Sequence, residues 1–199
     1  MNKNRLEAFS DGVLAIIITI MVLELRTPSE PTWQALSHVL PTLLSYLLSF
    51  VYVGIYWNNH HHMIQVVGTV NGAVLWANLH LLFWLSLVPF STRWMDEMGF
   101  VQIPVVVYGL NLTCAAVAYF ILQGTLIRQQ GKGGALAQVV GRNWKGKLSP
   151  VIYLLGIVAA LVGLPAIGLA AYTAVALIWL VPDRRTERYV AGHDPSAAS

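Results

Sequence analysis

The segment RLEAFSDGVLAIIITIMVLEL, positions 5–25, is apolar through its middle yet opens with Arg5, Ser10 and Asp11, carries Glu24 near its end and has one hydroxyl, Thr19, inside it. A carboxylate in hydrocarbon costs about 2.5 kcal/mol or more even on insertion scales, so Asp11 needs partners within the protein. Arg5 and Ser10 on the same helix are candidates, as is a His or Asn from the next helices. The plainer reading is a helix start favoured by the helix dipole. A second polar group, His60-His61-His62, suggests metal or haem chemistry at first sight. Adjacent residues on a helix point about 100° apart, so the three cannot face one ion. They are expected as interfacial or network residues, and the isolated His38 and His80 as packing or hydrogen-bonding residues.

The elements that position these groups belong to a membrane protein. Of 199 residues, 56% are hydrophobic and 11% charged, against about 25% charged in soluble domains. Cys114 is the sole cysteine, which excludes an intrachain disulfide, and no zinc motif occurs. Positions 13–23 have the length of a signal-peptide core, but Glu24, Arg26 and Pro28 follow in place of a small-residue cleavage site, so the first helix is expected to be retained.

Charges punctuate the chain. Between Glu30 and Arg93 lies no Asp, Glu, Lys or Arg, room for two spans of about 20 residues each. The polar stretch WNNHHHMIQVVGTVNG, 57–72, divides them, which predicts a second helix over 36–57 and a third over 72–92, with Pro89 near its end. A fourth is predicted over 101–125, with Pro104 in its first turn. The Gly-rich basic loop 128–147 follows and is expected outside the bilayer. The last apolar stretch is too long for one span, and Gly163-Leu164-Pro165 splits it into short helices over 149–162 and 165–181. Six spans with both termini cytosolic put ten basic residues inside: Lys3, Arg5, Arg128, Lys132, Arg142, Lys145, Lys147, Arg184, Arg185 and Arg188. Only Arg26 and Arg93 fall outside, a strong positive-inside bias. The chain reads as a single domain over 1–190 with a disordered tail over 191–199. Trp33, Trp57, Trp94, Trp144 and Trp179 fit an aromatic belt near helix ends, while Trp76 and Trp84 lie deeper.

On a helical wheel at about 100° per residue, Gly12, Ile16, Thr19, Ile20 and Leu23 form one stripe about 100° wide. Asp11 falls nearly opposite and Glu24 at the stripe's edge. Such stripes on membrane helices are usually packed or lipid-facing surface, and the wheel alone does not define a pore.

The same residues carry a resemblance. Arg5, three residues, then Phe9-Ser10-Asp11, followed by the isoleucine-rich run Ala15–Ile20, resembles the signature of the transmembrane protein 175 family in its short bacterial branch. YWNNHH at 56–61 and NLHLLFWLSLVPF at 78–90 are similar to later family stretches; beyond about residue 90 only the hydropathy pattern fits. The resemblance implies an all-α, six-helix subunit of a homotetrameric, potassium-selective, leak-like cation channel, with the first helix lining a central pore and no cofactor. The TVGYG filter of ordinary potassium channels is missing, as the family leads one to expect. Carried over by motif position, the pore-lining residues are Ile16, Thr19, Ile20 and Leu23. Apolar rings of this kind gate by dewetting, and they favour potassium because sodium holds its water more tightly. Arg5, Phe9, Ser10 and Asp11 would form a structural polar network with His60, His61 and Asn78, and Glu24 would sit at the outer mouth and attract cations.

Alternatives stay open on the sequence. A proton-conducting channel is one. A transporter is another, although no internal repeat supports it and helices four to six lack acids or bases. A membrane enzyme using the cytosolic-side histidines is a third. The basic loop 128–147 reads as a topology determinant before a site for anionic lipid, and its glycines lack phosphate-loop spacing. The expected partners are further copies of the chain, potassium ions and the bilayer, with no nucleic acid. The expected compartment is the plasma (inner) membrane if the source is prokaryotic.

Overall fold

The computed structural model describes residues 3–131, 134, 136 and 144–180. The tail 191–199, Arg184, Arg185 and Arg188, and the centre of the basic loop lie outside the described residues. Seven helical segments are present among them: α1 (Lys3–Leu23), α2 (Trp33–Gln65), α3 (Gly72–Ser86), α4 (Val88–Glu97), α5 (Gln102–Gln130), α6 (Trp144–Leu161) and α7 (Pro165–Leu180). They make six passes, because α3 and α4 follow one another as a single apolar run over 72–97. α1, α2, that run and α5 are each long and apolar enough to cross a membrane.

Two boundaries correct the sequence reading. α2 extends to Gln65, so Trp57 and the three histidines are its last two turns and the true break is 66–71. The polar side chains there do not end the helix because they are satisfied locally and across helices: Asn59 Nδ2 donates to the Ile55 carbonyl at 2.8 Å, and Gln65 bonds His61 one turn back at 2.7 Å. At about 1.5 Å per residue, the 33 residues of α2 run about 50 Å, well beyond a hydrocarbon core of about 30 Å. The third predicted helix divides at Leu87, where Pro89 has no N–H to donate and starts a new first turn.

The α6–α7 hairpin follows its sequence signals. Gly163 adopts φ +88°, and its N–H and that of Leu164 bond the carbonyls of Ala160 and Ala159, a Schellman stop that Pro165 follows as the first residue of α7. Gly156 and Gly168 let the two helices approach closely: a Cβ on Gly168 would lie 2.8 Å from the Gly156 carbonyl oxygen. In lipid, where apolar burial drives little association, such close packing holds helices together. α5 runs through the centre of the subunit and buries Tyr108, Leu112, Leu122 and Leu126 completely or nearly so. α1 lies at its edge, against α2, α3 and α4.

Candidate functional site

α1 has two faces of different fate, and both are largely apolar. Leu6, Ser10, Leu14, Ile17 and Met21 are buried, spaced by four, four, three and four residues as one helical stripe demands. Ile16, Ile20 and Leu23 are exposed by 59%, 43% and 83%, and Gly12 and Thr19 lie on the same uncovered side. The stripe singled out in the sequence is thus the face of α1 that the subunit leaves uncovered. The Thr19 hydroxyl hydrogen is used within the helix, on the Ile16 carbonyl at 2.9 Å.

The buried face is oriented by polar contacts confined to its N-terminal half. Glu7, Ser10 and Asp11 sit at i, i+3 and i+4 on α1; Trp57, His60 and His61 repeat that spacing on α2. The helices meet in antiparallel order, so the triplets pair in reverse. Glu7 Oε1 meets His61 Nδ1 at 2.8 Å. Asp11 Oδ1 accepts from Trp57 Nε1 at 3.0 Å. Ser10 reaches His60 through Asn78 of α3: Asn78 Nδ2 donates to Ser10 Oγ at 2.9 Å, and Asn78 Oδ1 faces His60 Nε2 at 2.8 Å. Ser10 passes its own hydrogen to the Leu6 carbonyl at 2.9 Å. With Asn78 Oδ1 able only to accept, His60 must hold its proton on Nε2. Its Nδ1 is then a buried acceptor, with no partner among the described residues. Ser10, Asn78 and His60 are all within 1% of complete burial. The ring of His61 also stacks on Trp57 at 5.9 Å, and Lys3 Nζ closes the N-terminal end on the Gln65 carbonyl at 2.9 Å.

Of the residues named from the sequence, Ser10, His60 and Asn78 therefore come together in one chain of bonds, and His61 joins Glu7. Asp11 meets none of His60, His61 or Asn78; Trp57 takes that place. Arg5 and Phe9 stand on the exposed side, Phe9 by 52%. Sequence reasoning misses Trp57 and Glu7. The tryptophan reads as a belt residue, and the signal that finds it is the repeated i, i+3, i+4 spacing. His80 is engaged elsewhere, by Trp84 Nε1 at 3.0 Å. Among the described residues no three His, Cys, Asp or Glu side chains gather as metal ligands would.

The C-terminal end of α1 has a different character. Glu24, half-buried, faces Arg93 of α4 at 3.6 Å. Arg93 Nε also meets Glu97 at 3.0 Å, and Arg26 meets the same Glu97 oxygen at 2.8 Å. Below these charges an open groove of about 730 Å³ runs between α1 and α4, lined by Ile16, Ile20, Phe90 and Trp94. The two basic residues expected outside are thus close together at one end of the bundle. Lys3 lies at the other.

The sequence and the fold have known relatives. Residues 5–89 match the family described as the endosomal/lysosomal potassium channel TMEM175. A Chryseobacterium sp. (strain P1-3) protein named a potassium channel is 53% identical over 188 residues, 94% of this chain and 97% of that protein. One from Streptomyces collinus, also named a potassium channel, is 34% identical over 137 residues, 64% of this chain and 66% of that one. The crystal structure of a lysosomal potassium-selective channel TMEM175 homolog from Chamaesiphon minutus superposes with a TM-score of 0.78 at 23% identity, over 92% of this chain and 97% of that one, which shows the shared fold. These relatives are ion channels, not enzymes. With its all-helical, six-pass architecture, its FSD motif on the first helix and its near full-length likeness to the Chryseobacterium protein, the chain belongs to the TMEM175 family.

Proposed function

We propose that the protein is a potassium-preferring cation channel of the inner membrane, a homotetramer with both termini cytosolic, whose pore is lined by Ile16, Thr19, Ile20 and Leu23 of α1. The observation that carries this reading is the two-sided build of α1. Its rotation is set by directional bonds on one side, while Ile16, Ile20 and Leu23 form a smooth exposed face on the other. A helix that only met lipid would need no such fixed rotation, whereas a ring of four identical side chains does.

In the fourfold assembly Ile16 and Leu23 form apolar constrictions that dewet when narrow. An ion crossing them sheds water, which is cheaper for potassium than for sodium. Because the Thr19 hydrogen is engaged by the Ile16 carbonyl, its oxygen lone pairs remain free to replace part of that water. Ser10, Asp11, His60 and Asn78 hold the rotation, and exposed Arg5 and Phe9 meet neighbouring subunits. Glu24 stands at the outer mouth. The named function of the Chryseobacterium and Streptomyces relatives supports potassium as the permeant ion.

Ion flux from proteoliposomes tests the reading. Vesicles loaded with potassium and given an outward gradient should show rapid efflux, reported by a proton-coupled dye, and sodium-loaded vesicles a much smaller signal. Equal, protein-independent signals for both ions would sink it.

A further inference from the structure

We propose that Arg93 sets the charge of the outer entrance, and with it the rate of cation entry: it cancels the charge that Glu24 would otherwise present to entering cations. The inference rests on the pore reading above and concerns a residue outside the pore helix. Its grounds are geometric. Glu97 already has Arg26 at 2.8 Å, so its neutralisation does not require Arg93. Yet the Arg93 guanidinium lies between Glu97 on its own helix and Glu24 on α1, at 3.0 and 3.6 Å. It shares one groove with Ile16, Ile20 and Glu24, next to the last residue of the exposed stripe, Leu23. Asp96, the next carboxylate on α4, is turned to α2 and held by the Thr42 hydroxyl at 2.8 and 2.9 Å, so it does not join this group.

Two arginines and two glutamates leave the cluster neutral. Removal of Arg93 leaves one net negative charge per chain beside Leu23, repeated around the proposed ring. A ring of carboxylates at a narrow mouth concentrates cations, as acidic rings do in cation channels. The native cluster is therefore set for a low, leak-like rate of entry, and Arg93 is the member that faces both glutamates.

Single-channel currents in planar bilayers, with potassium entering from the Glu24 side, test this at low and high salt. The Debye length is about 30 Å at 0.01 M and about 3 Å at 1 M, so a field effect is large in the first and screened in the second. Arg93→Gln should raise the low-salt current at least about twofold and match the wild type at 1 M. Glu24→Gln should lower the low-salt current. The double variant Glu24→Gln/Arg93→Gln is neutral again and should return to the wild-type value, and Arg93→Lys should stay there. An Arg93→Gln current equal to wild type at low salt overturns the inference, as does a change that persists at 1 M, which marks a structural effect. Wild-type protein that passes no cation in either salt overturns the pore reading, and this inference with it.

Discussion

The two ends of α1 are built on different principles. At the N-terminal end Lys3, Glu7, Ser10 and Asp11 each meet a partner on α2 or α3 through a directional bond, and one of those chains is buried completely or nearly so. At the C-terminal end one residue, Glu24, meets one arginine at 3.6 Å, on a surface where the arginine side chain is 53% exposed. Between them, from Gly12 to Leu23, the side-chain bond found among the described residues is that of Thr19 to its own helix. Buried hydrogen bonds are specific in angle and costly to leave unmade, whereas exposed ion pairs contribute little and tolerate rearrangement. The N-terminal end therefore sets the helix's rotation, and the C-terminal end, in the proposed reading, tunes charge without fixing position.

The most damaging break in this contrast is at Asn78, the one side chain that bonds both Ser10 and His60. Asn78→Leu keeps the volume and apolar character of α3 but strands the imidazole N–H of His60, at a cost of about 1–3 kcal/mol, and removes the donor to Ser10 Oγ, whose own hydrogen stays on the Leu6 carbonyl. The thermal unfolding midpoint in detergent should fall further than for Asp11→Ala, Ile16→Asn or Glu97→Gln, with loss of assembled protein on size exclusion. An unshifted midpoint would show that the buried chain does not hold α1 in place.

Asp11→Ala comes next. It removes the acceptor of Trp57 and frees an indole N–H, at about 1 kcal/mol on the scale of bonds between membrane helices. Folding yield and assembly should suffer more than permeation in the fraction that assembles. Trp57→Phe should reproduce the loss, and the double variant should add little to either, because the two residues share one bond. Additive losses in that cycle would dissolve the pairing.

Asn78 is legible in the sequence and Trp57 is not, for different reasons. The carboxylate's cost in lipid demands partners for Asp11 and offers a His or Asn of the next helices only in general terms; Asn78 and His60 are singled out by the resemblance to the family. Tryptophan is common at membrane interfaces, so an indole there gives no signal by itself. Its role appears only once α2 is known to run on to Gln65, and the sequence misplaces that end because a polar stretch looks like a loop. The polar residues at 57–65 remain helical because Asn59 and Gln65 bond within α2 and α1 and α3 supply partners for Trp57, His60 and His61; the second half of that account no local pattern encodes. The α6–α7 hairpin is the opposite case: Gly163 and Pro165 act through their own backbones, and the turn is where they put it. The exposed stripe of α1 is legible as a stripe, since a 3.6-residue period needs no partner to be seen. Arg93 is legible as an outer charge but not as the partner of Glu24, which depends on how α4 restarts after Leu87.

Ile16→Asn probes the middle, where rotation matters and no cross-helix side-chain bond among the described residues holds α1. It alters the exposed face only, so the unfolding midpoint should stay near wild type. In proteoliposomes the ratio of potassium to sodium flux should drop severalfold, because an amide wets the proposed constriction and lowers the cost of carrying sodium through it. A flux ratio equal to wild type would count against Ile16 as a ring of the pore.

The smallest effect is expected at the C-terminal end of α1, where it sharpens the contrast by its weakness. Glu97→Gln removes the carboxylate that Arg26 and Arg93 share. Both arginine side chains remain more than half exposed, so water replaces the lost partner, and the unfolding midpoint should not move measurably at 0.15 M salt. The charge balance does change: Arg26 and Arg93 then face Glu24 alone, one net positive charge per chain at the mouth. Potassium current at low salt should fall, and at 1 M it should return to the wild-type value. Stability without change and current with a salt-dependent change is the signature of an end that carries charge and not position. A lowered midpoint would instead make the outer network a second anchor of α1 and remove the difference between its two ends.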